Sequence, residues 1–252
     1  MAIPVTDQAI AKIKDLIVSG EFGPGAKLPR EQDLAARLGL SRNSLREAVR
    51  ALTLVGVLDT RVGDGTYVTS LDADSLLMGL GFVGDLLEGD TLLEAHQVRR
   101  ILEPVATALA TPKLTSADFA ALEERLARMA NASSTQEFID ADTEFHRIIV
   151  SAAGNPTLAS LIQSMSGGVT RARLWRTVTD RDTTLTVQRH RDIYTALRAG
   201  DAEQAAAADL LHLAEFEAWV QQWLAEHGGP LTRQHANESP LSGAGNRGNG
   251  RA

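Results

Sequence analysis

The chain has 252 residues, a formal charge of −7, 44% hydrophobic residues and no cysteine. That length allows one or two domains, each able to bury a real core. The missing thiols exclude disulfides, thiolate metal sites and cysteine nucleophiles. No run reaches the roughly 18 uninterrupted apolar residues of a membrane helix; the richest stretch, Leu76 to Leu87, is short and carries glycines and Asp85. Met1 to Pro4 leads straight into a helical pattern, so no signal peptide and a cytoplasmic location are expected. The acidity is unevenly spread. Residues 1–71 hold nine basic and eight acidic side chains, leaving sixteen and twenty-four for the rest, and six arginines fall between Arg30 and Arg61. A nearly neutral N-terminal unit with a clustered basic face suits a specific nucleic-acid binder.

Thr6 to Ser19 predicts a first helix, capped by Thr6, with Ile10, Ile13, Leu16 and Ile17 on one face. Gly20-Glu21-Phe22-Gly23-Pro24-Gly25 is a turn cluster, and Leu28-Pro29 leads into a second helix over about 31–38, with Leu34, Ala35 and Leu38 inward. After the Gly39-Leu40 turn, Ser41 is placed to cap a third helix whose Leu45, Ala48, Val49 and Leu52 form an apolar stripe. Arg42, Arg46 and Arg50 recur every four residues on a different face. An arginine fork can bond O6 and N7 of one guanine, although such a row can equally be a solvated face. Two β-prone runs, 57–62 and 66–68, flank Gly63-Asp64-Gly65 and predict a hairpin. Three helices and this wing make a winged helix-turn-helix, whose third helix would enter the major groove.

The run from "IVSGEFGPGAKLPREQDLAARLGLSRNSLREAVRALTLVGVL" to "GDGTYV" resembles the N-terminal domain of GntR-type bacterial transcription regulators over residues 6–69. The shared marks are the glycine-proline-glycine turn, Leu-Pro, Ser-Arg…Arg-Glu-Ala, and the Gly-x-Gly-Thr wing. The resemblance implies operator contacts from Arg42 and Arg46, from Gln32 early in helix two, and from the wing tip at Gly63. With their neighbours, the candidate DNA-facing set is Arg30, Gln32, Ser41, Arg42, Asn43, Ser44, Arg46, Gly63, Gly65 and Thr66. Arg30 departs from the small residue usual there; a phosphate contact and plain solvation are both open.

From about residue 75 the pattern is helical almost throughout, with stretches expected near 75–88, 91–110, 116–130, 135–153, 156–177, 183–199 and 201–226. Asp90-Thr91, Thr115-Ser116-Ala117-Asp118, Gly154-Asn155-Pro156 and Ala199-Gly200-Asp201 are the clearest breaks. The fold class is therefore mainly α: the winged head (1–71), an all-α antiparallel bundle of about seven helices (72–227), and a Gly/Ser/Asn-rich tail (228–252) expected to be disordered. Within the bundle, Asp142-x-x-x-His146 puts two potential ligands on one helix face, and His190 and His212 sit on two later helices. One carboxylate and three neutral imidazoles suit Zn, Ni or another first-row divalent ion, while an isolated Asp/His pair is more often a surface contact.

"RRILEPVATALA", "IDADTEFHRIIVSAAGNPTL" and "QRHRDIYTALRAGDAEQAAAADLLHL" resemble the FCD effector domain of the FadR branch of GntR regulators. That resemblance implies a metal held by Asp142, His146, His190 and His212, and small carboxylates as effectors. Arg99 matches the arginine usual at its position and would pair with the effector's charge, its bland alternative being a surface i,i+4 pair with Glu103. Arg171 and Arg173 are further candidates, of which at most one faces inward. The expected function is a homodimeric, ligand-responsive regulator, a repressor of a catabolic operon, binding a near-palindromic operator and no membrane. A metal-dependent enzyme and a constitutive DNA-binding protein with a structural metal are the alternatives. The enzyme is disfavoured because Glu144, the nearest carboxylate to the metal pair, points elsewhere on its helix.

Overall fold

A computed structural model describes residues 4–73, 75, 77, 89–165 and 183–227. The helix expected near 75–88, the far end of the one near 156–177, Arg171, Arg173 and the tail lie outside the described residues. The rest divides into two compact units between Val83 and Gly84.

The N-terminal unit contains α1 (Val5–Val18), α2 (Glu31–Leu38), α3 (Arg42–Leu54), β1 (Leu58–Arg61) and β2 (Gly65–Val68). Its core joins Ala9 and Ile13 of α1, Leu34 and Ala35 of α2, and Leu45, Ala48, Val49 and Leu52 of α3, closed by Leu58 and Val68 of the wing. The stripe read from the third helix is thus buried in full. Ser41 caps α3 by accepting a hydrogen bond from Ser44 N at 3.0 Å. The first helix differs from expectation: it starts one residue before Thr6, with Pro4 at the cap position and Pro4 O accepting from Gln8 N. Proline has no side-chain acceptor, so no side-chain cap is made there.

The wing is an antiparallel hairpin with Leu58 opposite Val68 and Arg61 opposite Gly65. Gly63 at its tip has φ +78°, in the left-handed region where a side chain is strained. Asp64 fixes the tip by accepting from Lys27 Nζ at 2.7 Å and from the Tyr67 hydroxyl at 2.8 Å. The segment before α2 adds to the open edge of β2: Leu28 N donates to Thr66 O and Val68 N to Ala26 O. Such backbone pairing across about forty residues has no local sequence signal, and only the wing itself was expected.

The second unit contains α4 (Gly89–Ala110), α5 (Ser116–Ala130), α6 (Thr135–Ala152), α7 (Pro156–Ser164), α8 (Thr184–Ala199) and α9 (Ala202–His227). Packing runs in a ring: α4 on α9, α9 on α8, α8 on α5, α5 on α6, and α6 back on α4, with α7 against α4 and α6. The expected breaks are real caps. Thr115 and Asp118 form a reciprocal capping box, Asn155 accepts from Leu158 N, and Gly200 ends α8 in the left-handed conformation. The largest apolar cluster gathers Leu122, Leu126 and Met129 of α5, Phe138, Ile139, Phe145 and Ile149 of α6, and Val187, Ile193 and Leu197 of α8. No described helix is long and apolar enough to cross a membrane.

Candidate functional site

Because Phe138, Ile139, Phe145 and Ile149 turn one side of α6 into the core, Asp142 and His146 on that same side are buried with them, at 2% and 6% exposure. His190 of α8 and His212 of α9 are buried as well, and one ligand atom from each of the four residues lies within 4.8 Å of the others. His190 Nε2 stands 3.0 Å from Asp142 Oδ1 and 3.1 Å from His146 Nε2. The His146 and His212 rings stack at 5.1 Å, and Phe145 meets His190 edge-on at 5.0 Å, walling the cluster.

The hydrogen bonds behind the rings decide what the cluster can hold. His190 Nδ1 donates to the Thr186 carbonyl at 2.7 Å, and Glu103 Oε1 stands 2.8 Å from His146 Nδ1. A neutral imidazole that donates from Nδ1 carries a lone pair on Nε2. A carboxylate oxygen beside Nδ1 favours the same tautomer in His146. With His146 in that tautomer, two Nε2 lone pairs and a carboxylate oxygen face one another at about 3 Å, an arrangement that repels itself unless a proton or cation lies between. Two ligands about 2.0–2.1 Å from one ion stand about 2.9–3.4 Å apart, and the observed separations lie in that range. The four residues can hold a divalent transition metal, and three imidazoles with one carboxylate are the donor set that zinc and nickel accept.

Arg99 and Glu103 of α4 lie behind His146. Arg99 Nε and Nη2 both donate to Glu103 Oε2, at 2.9 and 2.5 Å. The i,i+4 pair weighed as a surface contact is instead interior, with both side chains 1% exposed. Arg99 Nη1 is buried and has no hydrogen-bond partner among the described residues. A cavity of about 170 Å³ adjoins it, lined among the described residues by Arg99, Glu103, Thr143, His146, Val150 and Gln163, with Arg147 and Ile162 also at its wall. Pockets for drug-sized ligands occupy roughly 300–1,000 Å³, so this one admits only a small molecule. Glu144 faces away, paired with Arg147 at 2.6 Å on the outside of α6. Sequence reasoning passed over Glu103 except as a surface partner, and passed over Asp209, which is buried and accepts from Thr107 Oγ1 at 2.7 Å. The available signal was periodicity: His96, Arg99, Glu103 and Thr107 share the buried face of α4, where an ordinary amphipathic helix would be apolar.

In the N-terminal unit the candidate DNA-facing residues are brought onto neighbouring elements. Ser41, Arg42, Asn43, Ser44 and Arg46 form the cap and first turns of α3, Arg30 stands at the N-cap position of α2, and Gln32 is the second residue of that helix. Arg30, Gly63, Gly65 and Thr66 line one cleft of about 360 Å³ between the helices and the wing. Arg46 is anchored by Glu31 at 3.2 Å and Arg50 by Glu47 at 2.8 Å, all in exposed positions.

Two family profiles match the chain: "Bacterial regulatory proteins, gntR family" over residues 5–68 and "FCD domain" over residues 94–215. The HTH-type transcriptional regulator YcbG of Bacillus subtilis (strain 168) is 33% identical over 79% of this chain and 82% of its own length. The chain belongs to the GntR family of bacterial transcription regulators. The galactonate operon transcriptional repressor of Escherichia coli (strain K12) is 30% identical over 85% of this chain and 96% of that one. Among solved structures, Streptococcus agalactiae GntR superposes with a TM-score of 0.55 at 27% identity, over 85% of this chain and 99% of that one. The expected winged helix-turn-helix with an FCD-type helical domain is borne out, and regulators of this family bind operator DNA.

Proposed function

We propose that this regulator is a ligand-responsive repressor whose bundle holds a divalent metal through Asp142, His146, His190 and His212 and senses a small carboxylate beside it. The observation that carries the reading is the convergence of four buried ligand atoms next to a small cavity at which Arg99 is buried, its Nη1 unpartnered among the described residues. A carboxylate there would take a charge-assisted hydrogen bond from Arg99 Nη1. The named repressor of a galactonate operon makes sugar acids the first class to try. The metal, when bound, supplies positive charge to the anion; Arg99 orients it, and the burial of both excludes water.

The reading head acts through α3. Arg42 and Arg46 contact bases and phosphates, Gln32, Ser41, Asn43 and Ser44 stand at the groove edge, and Arg30, Gly63, Gly65 and Thr66 follow the flanking backbone. One head is small, so a homodimer presents two copies of α3 to successive major grooves of a near-palindromic operator. The effector changes DNA affinity to the extent that it binds the DNA-bound and free arrangements differently.

The test is selection of genomic fragments by the purified full-length protein, followed by fluorescence anisotropy on the recovered site. Arg42→Ala and Arg46→Ala are expected to lose about 1–3 kcal/mol each per half-site. Titrating organic and sugar acids, galactonate among them, into the zinc-loaded complex should change the affinity. No preference for any genomic fragment over random duplex overturns the DNA-reading assignment. A preference that no acid alters overturns the sensing.

A further inference from the structure

We infer that Glu103 is the positioning residue of the metal cluster, fixing the tautomer in which His146 presents Nε2, and that Arg99 fixes Glu103 in turn. This rests on the reading of the cluster as a metal site. The geometry is a chain of three buried groups. Arg99 places two donors on the single oxygen Oε2, and Oε1 of the same carboxylate stands 2.8 Å from His146 Nδ1. The guanidinium holds Glu103 turned, since rotating the carboxylate would break a two-point contact. A carboxylate oxygen this close to Nδ1 favours the proton on that nitrogen and the lone pair on Nε2. Nε2 is the atom that faces His190 Nε2 inside the cluster.

His190 reaches the same tautomer by a different device, a backbone carbonyl at Thr186. A carbonyl oxygen persists whatever side chain stands at 186, whereas the acceptor behind His146 belongs to a side chain. The orientation of His146 is therefore open to a single substitution on α4, a helix that supplies none of the four proposed ligands. It also ties the two halves of the proposed sensor together, because the same carboxylate sets the pose of Arg99 at the cavity and the pose of a metal ligand.

Glu103→Gln tests this with almost no change of volume. If the amide oxygen stays on Arg99, the amide NH2 faces His146 Nδ1, which must then accept, and the proton moves to Nε2. If the amide flips, its NH2 faces the guanidinium donors. Both orientations lose one contact. Zinc affinity of the full-length protein, measured by competition with a chromophoric chelator, is expected to fall roughly 10–100-fold, the range typical of losing such an outer partner. Glu144→Gln, on the outside of α6, should bind zinc as the parent does. Nitrogen-15 NMR of the zinc-loaded parent should show His146 protonated at Nδ1 and bonded to zinc through Nε2. Parental affinity in Glu103→Gln, or zinc on Nδ1 of His146, overturns the inference while leaving the metal site standing. A parent protein that takes up no zinc overturns the metal reading itself, and this inference with it.

Discussion

Charged side chains stand in water in the reading head and in protein in the bundle. Arg46 and its partner Glu31 have side chains about half exposed, at 53% and 41%, whereas Arg99 and Glu103 are each at 1%. An exposed arginine keeps its hydration and can exchange Glu31 for a phosphate or a base with little net change. A buried arginine has left water behind, so its donors must be met by groups that the fold itself brings there. The head can thus be redirected by single surface changes. The bundle's polar centre changes only as a connected set.

The largest expected effect breaks that set. Arg99→Met takes the guanidinium away from the buried Glu103 carboxyl, a change that typically costs about 3–5 kcal/mol. Glu31→Gln cuts the matching pair in the head and should cost no more than about 1 kcal/mol. All three tryptophans, at 175, 219 and 223, belong to the C-terminal unit, so urea unfolding followed by tryptophan fluorescence isolates the first value. Circular dichroism of the whole chain reads the second. Comparable losses in the two variants would remove the distinction between the regions.

The same contrast explains what the sequence made legible. Half of the head's candidate surface is nearly contiguous in the chain, because the cap and first turns of one helix carry Ser41, Arg42, Asn43, Ser44 and Arg46, and capping and periodicity place that helix from local residues alone. In the bundle, spacing put Asp142 and His146 on one face, but nothing local says that α8 and α9 bring His190 and His212 to it; only family resemblance supplied those. Glu103 was missed for a physical reason. An Arg–Glu pair at i,i+4 is ordinarily a surface feature, and its burial depends on α9 and α6 packing over α4. The pairing of residues 26–28 with β2 escaped for the same reason, being a long-range backbone contact with no side-chain signature.

An intermediate effect comes from withdrawing the proposed metal. A ligand that binds only the folded state stabilises it by about 2.7 kcal/mol at one hundred times its Kd and about 4.1 kcal/mol at a thousand times. Adding a chelator to zinc-loaded protein should therefore lower the tryptophan-reported unfolding free energy by that order. Hydrogen exchange within α1 to α3 should not change. Loss of protection in the head would show that the two units do not respond separately.

The smallest effect compares one helix cap in each region. Ser41 accepts from Ser44 N at the start of α3, and Thr115 accepts from Asp118 N at the start of α5, so either alanine variant should cost about 1 kcal/mol at neutral pH. Acid should separate them. Asp118 takes hydrogen bonds from Thr115 N and Oγ1, and these hold its carboxyl below the ordinary aspartate value. A group whose folded-state pKa is depressed contributes fully above its unfolded value, near 3.8, and loses that contribution as pH falls through the folded value. The residue at the matching position of α3 is Ser44, whose hydroxyl shares a 2.8 Å contact with Ser41 and does not titrate in this range. Amide exchange at the first turn of each helix, compared between parent and variant at pH 7 and pH 3, reads the difference. Thr115→Ala should matter less at the lower pH because its carboxylate partner is being protonated, while Ser41→Ala should matter equally at both. A Thr115→Ala penalty that persists undiminished in acid would mean that the threonine hydroxyl alone, without the reciprocal carboxylate, accounts for the cap.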